Sequence, residues 1–509
     1  MRTLSSLFFG VFAVACVSEH GPLTNRMAQS TTPYLARAAR QPVSWQQWGR
    51  DAFSLAARLD RPILLYVGAD DCRWCGVMDR EVYGDAVLGA MIDSLFIPVR
   101  VDRDERPDVA DRYAAAVRLL AGLGGYPITV FLTPDGSAFF GGTYFPLDDP
   151  VTGRGLRQLL PEVAKTYREQ RGSVVQRAAL VRQLSLSRGG VSHGVLKPAA
   201  VRLQIEAVRA ALMAAGRSGA ALGLMQARAA GLMLATYART GDSSYLEPAR
   251  IVLDGLVDSA EAALAESTRD DPPGLVRAAL LRNLASGWAA TGDLRYRQEA
   301  QQLLRRLASE VGRTEDRAVF ADREAYVISA ILDAAPALGD SATATRARAA
   351  LDTLLKRAYA RRRGVRHVAG AGGPVRPLLQ DQVQVAWACL AAYNASPANG
   401  RYLAIARDLV TVLERDFSDP VGGGYFDVAA SDPAAPALAD RAKPVLDELL
   451  PGANAWLARV LLRLADATRD ARYRRRAEAT LEAFAGVTSG EAMRASTYLA
   501  AAQDALAAR

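Results

Sequence analysis

Residues 61–75 read Arg-Pro-Ile-Leu-Leu-Tyr-Val-Gly-Ala-Asp-Asp-Cys-Arg-Trp-Cys. The apolar run in this stretch is typical of a buried β-strand, and the two cysteines follow it at the start of a predicted helix. Unpaired amides and the dipole at a helix N-terminus stabilise a thiolate, and Arg73 adds a positive charge. The context predicts a redox-active pair in which Cys72 attacks and Cys75, one turn deeper, resolves the mixed disulfide.

Two other interpretations of this cysteine pair stay open. A zinc site would need two further ligands, whereas the remaining cysteines are Cys16 and Cys389 and none of the three histidines lies near the motif. No metal site is therefore predicted. A purely structural disulfide would have the same spacing, so the spacing alone does not separate it from a catalytic pair.

The sequence around the motif predicts a small α/β sheet. Three short apolar runs are typical of strands, and Pro134-Asp135-Gly136 favours a hairpin after the third. The predicted strands are 61–67, 95–102, 128–133 and the hairpin arm 138–145; the predicted helices are 49–59, 73–93, 107–121 and 154–185. Pro127 directly precedes the third strand, where a cis peptide bond would bring backbone polar groups beside the cysteines; a tight trans turn is the alternative. Trp74 and Tyr126 are then candidates for contacting the substrate.

The second half of the chain is predicted to be helical. Gly, Ser and Pro in residues 186–198 indicate a linker. Beyond it a short turn pattern recurs about every 50–70 residues, as in Thr240-Gly241-Asp242 and Thr291-Gly292-Asp293, where the glycine ends one helix and the aspartate caps the next. About twelve helices, or six hairpins, result. They favour a closed α/α toroid, and an open solenoid is the alternative.

The first twenty residues differ from the rest. Arg2 and the apolar run 4–15 are typical of a signal peptide, and Ala13-Val14-Ala15-Cys16 is similar to a lipobox in which Cys16 is lipidated. A buried N-terminal strand or a misassigned start codon is the alternative. We expect export to a bacterial periplasm or cell envelope, with a possible lipid anchor at Cys16, and therefore an oxidising environment.

The overall composition excludes several classes of function. The 509 residues carry 62 basic and 54 acidic side chains, a net charge of +8, without a polybasic block. We therefore expect no nucleic-acid partner. Nothing in the sequence indicates a cofactor. The expected partners are a protein thiol or disulfide and, for the toroid, a carbohydrate.

Residues 25–146 carry a series of ordered motifs besides the Cys-x-Trp-Cys. They are Asn25-Arg26-Met27, Pro33-Tyr34-Leu35, Pro42-Val43, Trp45, Trp48, Val77-Met78, residues 101–108, Gly124-Gly125 with Pro127, and Phe140-Gly141-Gly142-Thr143-Tyr144-Phe145-Pro146. In these motifs the chain resembles the spermatogenesis-associated-protein-like (DUF255) family. The resemblance implies an α/β thioredoxin-like N-terminal domain followed by an all-α (α/α)6 toroid like that of six-hairpin glycosidases and sugar epimerases. Weaker matches at 422–427, Asp447, Pro451-Gly452 and Asn454 support the toroid.

The chain also departs from this family. The family usually has His where this chain has Arg73, and Trp where it has Tyr126. Compared with thioredoxin, a buried Asp on the strand before the motif is replaced by Tyr66. Proton transfer at Cys75 therefore lacks its usual helper.

Carbohydrate chemistry in the toroid would need carboxyl groups around a pocket and aromatic rings that stack on sugars. Candidates lie near the predicted starts of inner helices: Asp322, Glu324, Asp381, Asp447, Asn454, Trp387 and Trp456. The structural alternative is that such aspartates cap helices and such tryptophans pack in the core.

These observations predict four segments: a signal peptide over 1–20, a thioredoxin-like domain over 21–185, a linker over 186–198 and a toroid over 199–509. The first functional hypothesis is thiol–disulfide exchange through Cys72 and Cys75, with Pro127 presenting the substrate. The second is a carbohydrate-binding or carbohydrate-processing toroid with a structural thioredoxin-like domain. The third is a non-enzymatic scaffold.

Overall fold

A computed structural model describes residues 23–149, 151, 154–188, 190–217, 223–255, 272–312, 318–370, 377–429 and 440–507. The predicted signal peptide and Cys16 lie outside these ranges. Among the described residues, no helix is long and apolar enough to cross a membrane.

The N-terminal half is built on a five-stranded sheet. Its strands are β1 (Gln46–Gln47), β2 (Ile63–Gly68), β3 (Ile97–Asp102), β4 (Ile128–Leu132) and β5 (Ala138–Gly142). The order is β1-β3-β2-β4-β5, with β1, β3 and β2 parallel, and with β4 antiparallel to both β2 and β5. Every residue of β2 and β3 is buried, as expected for central strands covered on both faces.

Helices cover both faces of this sheet. They are α1 (Pro33–Arg37), α2 (Arg50–Leu59), α3 (Arg73–Glu81), α4 (Ala86–Leu95), α5 (Pro107–Ala121), α6 (Leu156–Glu169) and α7 (Arg171–Arg188). One face packs against α1, α3, α4 and α6, and the other against α2 and α5. The thioredoxin-like α/β prediction is therefore confirmed for this half.

Two predicted helices are each divided in two. The predicted helix 73–93 breaks at Gly84, where a side chain would come 2.6 Å from the Arg80 carbonyl oxygen, and Asp85 caps α4 by accepting from the Leu88 amide at 2.7 Å. The predicted helix 154–185 breaks at Gln170, between α6 and α7, and α7 continues to Arg188. The segment predicted as a linker thus begins inside a helix.

The C-terminal half is a closed double ring of helices. The remaining helices are α8 (Pro198–Arg217), α9 (Leu224–Thr240), α10 (Pro273–Thr291), α11 (Leu294–Glu310), α12 (Ala321–Leu338), α13 (Ser341–Ala358), α14 (Leu379–Ala395), α15 (Gly400–Asp416), α16 (Ala453–Thr468), α17 (Ala471–Ala483) and α18 (Ser496–Ala507), with a further helical stretch over 246–255. Six helices form the inner ring, because each contacts the next and the last contacts the first: α9, α10, α12, α14, α16 and α18. This closure confirms the (α/α)6 toroid and excludes the open solenoid.

The recurring turn pattern works mostly as predicted. Gly241, Gly292 and Gly339 end helices in the left-handed conformation. Asp293 caps α11 by accepting from the Arg295 amide at 2.9 Å. Asn399-Gly400 is a further copy of this pattern, with the two residue types in reverse order. Here Gly400 begins α15 behind the cap Asn399 instead of ending α14.

The two halves touch where β3 leads into α5. This segment lies at the N-terminal ends of the inner helices, and His367 Nε2 is 2.7 Å from the Asp104 carbonyl oxygen. Arg323 at the start of α12 forms an ion pair with the Asp104 carboxylate. On α7, Arg182 binds Asp440 of the helical half at 2.7 Å. We call the end of the ring at which the inner helices begin its mouth. Buried or half-buried polar contacts therefore hold the α/β half over this mouth.

Candidate functional site

The cysteine pair occupies the N-terminus of α3. Cys72 is the N-cap residue, and its Sγ lies 3.1 Å from the Cys75 amide nitrogen, which donates to it. The two cysteines form a disulfide. Cys75 is fully buried whereas Cys72 is half-buried, so an incoming thiolate can reach Cys72 more readily. The described geometry therefore agrees with an attacking outer sulfur and an enclosed inner one.

Pro127 lies beside the pair. The Tyr126–Pro127 peptide bond is cis, as the sequence indicated. Ile128 is opposite Val67 in the antiparallel β2–β4 ladder, so Pro127 comes next to Gly68 at the end of β2. A side chain at Gly68 would approach Cys75 Sγ to 3.3 Å, which shows how close this strand end is to the sulfur.

An exposed aromatic surface adjoins the outer sulfur. Trp74 is 48% exposed, and its ring lies 5.0 Å from the ring of Tyr144. The Arg73 guanidinium is 5.9 Å from the centre of the Trp74 ring. Large amphipathic rings beside a reactive atom are suited to holding an extended peptide. Their predicted role in substrate binding stays a prediction.

A buried polar cluster lies on the sheet face beneath Cys75. Arg100 on β3 is 2% exposed and donates twice to Asp79, at 2.7 and 2.8 Å. Its guanidinium also lies over the rings of Tyr34 and Tyr66, at 4.6 and 4.9 Å. The Tyr66 hydroxyl donates to the Cys75 carbonyl oxygen at 3.4 Å. Asp79 neutralises the charge of Arg100, although Arg100 Nε has no hydrogen-bond partner among the described residues, and these contacts anchor the helix that carries the cysteines to the sheet.

Asp102 is a second buried carboxyl on this face. It pairs with Gly68 across the parallel β2–β3 ladder, so its side chain is on the same face as Cys75 Sγ. Burial, and then the neighbouring Asp104 carboxylate, raise its pKa to about 7, against hydrogen bonds from the Asp104 amide and Thr32. A carboxyl group with this pKa can gain or lose a proton near neutral pH. The sequence does not indicate Asp102 as a proton-transfer residue, because the helper aspartate of thioredoxin lies on the strand directly before the cysteines. That strand is β2 here, whereas Asp102 is at the end of β3.

Arg103 joins the redox motif to the ring. Its buried side chain contacts Asp71, directly before Cys72, at 2.5 Å and Asp104 at 2.6 Å. It also lies over the Tyr126 ring at 5.2 Å. One side chain therefore touches the turn before the cysteines, the residue before the cis-proline and the loop over the toroid.

The predicted toroid tryptophans pack against each other inside the ring. The rings of Trp387 and Trp456 are 4.6 Å apart, and Arg463 lies 3.5 Å over Trp387. Asp333 accepts from the Trp387 ring N–H at 3.2 Å and pairs with Arg282 at 3.3 Å. This cluster fills the interior of the ring below its mouth.

Asp447 and Asn454 bind backbone groups at the mouth. Asp447 is fully buried and accepts from the amides of Gly452 and Thr497, both at 2.9 Å. Asn454 is fully buried too; it accepts from the Tyr425 amide at 2.8 Å and donates to the Tyr425 carbonyl oxygen at 2.9 Å. Both residues thus brace the loops around the mouth.

Asp381 belongs to a buried cluster that the sequence did not indicate. Its Oδ1 lies 2.8 Å from His367 Nδ1, and Asp322 Oδ1 is 3.9 Å from the same nitrogen. Burial alone would lower the pKa of His367, but the carboxylates of Asp381 and Asp322 raise it to about 10. The three residues are on separate segments that meet only when α12 packs against α14.

A cavity of about 510 Å³ separates the two halves at the mouth of the ring. Its walls include Asp108 and Asp111 of α5 and Asp427 and Glu448 of the helical half. Asp111 is open to the cavity but enclosed by protein; burial, and then Glu448, raise its pKa to about 7. Burial also raises the pKa of Asp427 to about 7, against the lowering effect of Arg112. The cavity therefore holds carboxyls that change charge near neutral pH.

Several solved structures are similar to the helical half at low identity. An unsaturated glucuronyl hydrolase specific for heparin is 12% identical, with 61% of this chain and 98% of that chain covered and a TM-score of 0.46. The unsaturated glucuronyl hydrolase of Bacillus sp. GL1 is 15% identical, with 56% and 86% covered and a TM-score of 0.44. Cellobiose 2-epimerase of Bacillus thermoamylovorans is 12% identical, with 50% and 73% covered and a TM-score of 0.41.

Curated relatives match the N-terminal half. Spermatogenesis-associated protein 20 of Homo sapiens is 36% identical over 170 residues, which are 33% of this chain and 22% of that protein. An uncharacterized protein of Caenorhabditis elegans is 39% identical over 160 residues, 31% of this chain and 22% of that one. The chain thus spans about a fifth of the length of these relatives. Residues 24–185, which carry the cysteine pair and the cis-proline, match the Thioredox_DsbH family model, described as a protein of unknown function, DUF255.

Proposed function

We propose that the chain is a thiol–disulfide oxidoreductase that acts on protein thiols or disulfides. The observation that carries this proposal is the position of Cys72 and Cys75 at the N-terminus of α3, with one sulfur half-buried, the other enclosed, and Pro127 beside them. A helix N-terminus favours the thiolate of an N-cap cysteine, which promotes its nucleophilic attack or its departure.

In the oxidising direction, a substrate thiolate attacks Cys72 Sγ and forms a mixed disulfide, and Cys75 Sγ leaves as a thiolate. A second substrate thiolate then attacks the substrate sulfur, and Cys72 leaves with the electron pair. The substrate gains a disulfide, and the protein gains two thiols. In the reducing direction the same steps run backwards, with Cys72 attacking and Cys75 resolving.

Asp102 supplies the proton transfer in this proposal. Its carboxyl is on the same sheet face as Cys75 Sγ, and its pKa of about 7 lets it protonate the Cys75 thiolate after that sulfur leaves, or take the proton from the Cys75 thiol before it attacks. Tyr66 stands where thioredoxin has its helper aspartate, and the neighbouring strand β3 then provides the carboxyl group.

An assay of insulin reduction or thiol oxidation tests the proposal. Cys72→Ser should reduce the rate to the background of the reagents, because the sulfur that remains at the motif, Cys75 Sγ, is fully buried. Cys389→Ser is the matched control: Cys389 is a buried free thiol on α14, far along the chain from the motif. Equal activity in Cys72→Ser and the native chain would refute the redox proposal.

A second candidate function is carbohydrate binding or processing in the interdomain cavity. The specific observation is the pair of cavity carboxyls, Asp111 and Asp427, whose pKa values near 7 suit general acid–base work. Glycan-array binding should survive Cys72→Ser and weaken in Asp111→Asn. Asp381→Asn and Asp447→Asn test the residues that the sequence indicated. Binding that none of the three aspartate variants changes would contradict this candidate.

We also propose that the protein works in the bacterial periplasm or cell envelope, where an oxidising environment would maintain its cysteine pair, and that Cys16 carries a lipid anchor. The apolar run before Cys16 supports this. Mass spectrometry of the N-terminal peptide from native cells checks it. A diacylglyceryl modification on Cys16 is expected, and an unmodified peptide that begins upstream of it would contradict the anchor.

A further inference from the structure

The cluster of Asp322, His367 and Asp381 lies in the wall between the two halves of the molecule. Asp322 is on the first turn of α12, His367 lies between the short strand Gly364–Val365 and α14, and Asp381 is on the first turn of α14. One possible ligand atom from each residue lies within 4.8 Å of those of the other two. We propose that this cluster binds a divalent transition-metal ion, with zinc as the best match to its donors.

The hydrogen bond on the far side of the His367 ring sets the orientation that a metal ligand needs. Nε2 lies 2.7 Å from the Asp104 carbonyl oxygen, which can only accept, so Nε2 carries the hydrogen. A cation would displace the Nδ1 proton that faces Asp381, and the neutral ring then directs its Nδ1 lone pair toward the carboxylates of Asp381 and Asp322. Metal-binding histidines almost always donate their other ring N–H to a carbonyl or carboxylate in this way.

An unpartnered oxygen in the cluster is the second, independent observation. Asp381 is fully buried, and its Oδ2 has no hydrogen-bond partner among the residues that the structure describes. The Leu378 amide hydrogen-bonds this carboxyl group, but it does not satisfy Oδ2. A buried carboxylate oxygen without a donor is costly, and a cation would remove that cost.

Charge neutrality also favours a divalent ion. Asp322, His367 and Asp381 are each 5% exposed or less. Two carboxylates with an imidazolium would leave one buried negative charge, whereas two carboxylates with a neutral imidazole and a divalent cation leave none. The nearby Arg323 side chain is engaged with Asp104, so it does not neutralise the cluster.

The donor set narrows the choice of metal. One imidazole nitrogen with carboxylate oxygens suits zinc, manganese or ferrous iron, and an imidazole ligand disfavours calcium and magnesium. Because Asp322 also lines the interdomain cavity, the cluster adjoins a space that solvent and small ligands can enter. Because His367 bonds to the backbone of the α/β half, a bound ion would also strengthen the contact between the halves.

Metal binding by the disulfide form of the full chain tests the proposal. In this form Cys72 and Cys75 cannot bind zinc as thiolates. After chelation and dialysis, the protein is titrated with Zn²⁺ against a chromophoric chelator, and bound zinc is measured by elemental mass spectrometry. We expect one equivalent, a higher melting temperature with zinc, and affinity at least about 100-fold weaker in Asp381→Asn, since loss of a direct ligand should match or exceed the 10- to 100-fold effect of losing an outer-shell partner.

The controls separate this site from adventitious binding. His193→Asn removes an exposed histidine outside the cluster and should leave the affinity unchanged. Co²⁺ bound to the native chain should give a spectrum of nitrogen and oxygen ligands without a thiolate charge-transfer band, which tests the site even if Asp381→Asn fails to fold. Absence of stoichiometric binding by the native chain would show that the cluster holds only a proton and would overturn the proposal. Binding that His193→Asn abolishes would also overturn it.

Discussion

The redox end of the molecule, around Cys72 and Cys75, takes its functional groups mainly from one short stretch of chain. The mouth of the ring takes its polar groups from segments that are distant in sequence. At the redox end, Cys72 and Cys75 are three residues apart on one helix, and the only distant member, Pro127, directly precedes a strand. At the mouth, Asp322, His367 and Asp381 come from three segments spread over sixty residues. A local motif keeps its geometry wherever its helix forms, whereas the mouth cluster exists only when α12, α14 and the segment around His367 pack together. The comparison shows why a sequence predicts the first kind of site and not the second.

A short segment of β3 and its loop contacts both regions. Asp102 lies on the face beneath Cys75, Arg103 binds the turn before Cys72, and the Asp104 carbonyl accepts from His367. Three consecutive residues therefore connect the predictable site to the composite one. Three properties of these regions can be measured: how much the Arg103 contacts stabilise the fold, whether the Asp102 carboxyl titrates near neutral pH, and whether the exposed side chains beside Cys72 bind substrate.

The largest expected effect concerns Arg103. Its buried guanidinium stands between Asp71 and Asp104, so Arg103→Gln leaves Asp71 without its cation and leaves Asp104 paired with Arg323 alone. We expect the free energy of unfolding to fall by roughly 3–5 kcal/mol. Chemical denaturation measures it. Arg26→Gln is the matched control, because its pair with Asp51 is exposed and should contribute about 0–1 kcal/mol. Equal losses in the two variants would show that Arg103 does not bridge the two regions.

The second prediction concerns Asp102 and pH. Its pKa is about 7 in the folded chain and near the ordinary value of 3.8 when unfolded, so the folded state binds more protons between about pH 4 and 7. Its contribution to stability therefore falls as pH rises through this window and is constant above it. Asp102→Asn should flatten part of that slope. Thermal melting from pH 4 to 8 measures it.

An aspartate at the surface supplies the control for this pH dependence. Asp51→Asn removes an 85% exposed carboxylate and should leave the slope unchanged. Other acids with raised pKa values, among them Asp111 and Asp427 at about 7 and Asp381 at about 6, should supply the slope that remains in Asp102→Asn. A native slope retained in Asp102→Asn would contradict the assignment of a raised pKa to Asp102.

The smallest expected effect concerns Trp74. Because its side chain is half exposed beside Tyr144, Trp74→Ala should cost little stability, within about 1 kcal/mol. For a protein disulfide substrate, we expect KM to rise several-fold with kcat nearly unchanged, since the ring would add binding area without taking part in electron transfer. Leu203→Ala, at an exposed apolar position on α8, is the control. A KM unchanged in Trp74→Ala would remove this surface from the substrate site.

The sequence was most informative where the chain is locally determined. The apolar runs, Pro134-Asp135-Gly136 and the glycine–aspartate turns predict four of the five sheet strands and most helix ends, because each depends on a few adjacent residues. The two-residue strand β1 is not predicted, because it is too short to show an apolar run. The break in the helix at Gly84 is not predicted, because it depends on a close approach between the Gly84 and Arg80 backbones. The spacing of apolar residues in the sequence carries no information about such an approach. The closed ring was favoured over the solenoid, and the contact between α18 and α9 decides it.

The candidate toroid residues show what sequence cannot supply. The sequence makes Asp447 and Asn454 candidate carbohydrate ligands, whereas in the structure both side chains form hydrogen bonds with backbone groups in the loops of the mouth. Asp381 is a candidate on the same grounds, but its partner in the structure is His367, fourteen residues away. That pairing depends on how the strand Gly364–Val365 and α14 fold together. Asp102 and Asp111 acquire their raised pKa values from burial, which no spacing pattern predicts.

Trapping of a mixed disulfide tests the central claim, that Cys72 attacks and Cys75 resolves, most directly. Cys75→Ser and Cys72→Ser are each reduced and then mixed with a disulfide-bonded protein substrate, and the adducts are resolved on non-reducing gels. The account predicts that Cys75→Ser accumulates an adduct that dithiothreitol releases, because the resolving sulfur is gone, while Cys72→Ser forms almost none since Cys75 is fully buried. An adduct that forms equally in both variants, or only in Cys72→Ser, would contradict these roles.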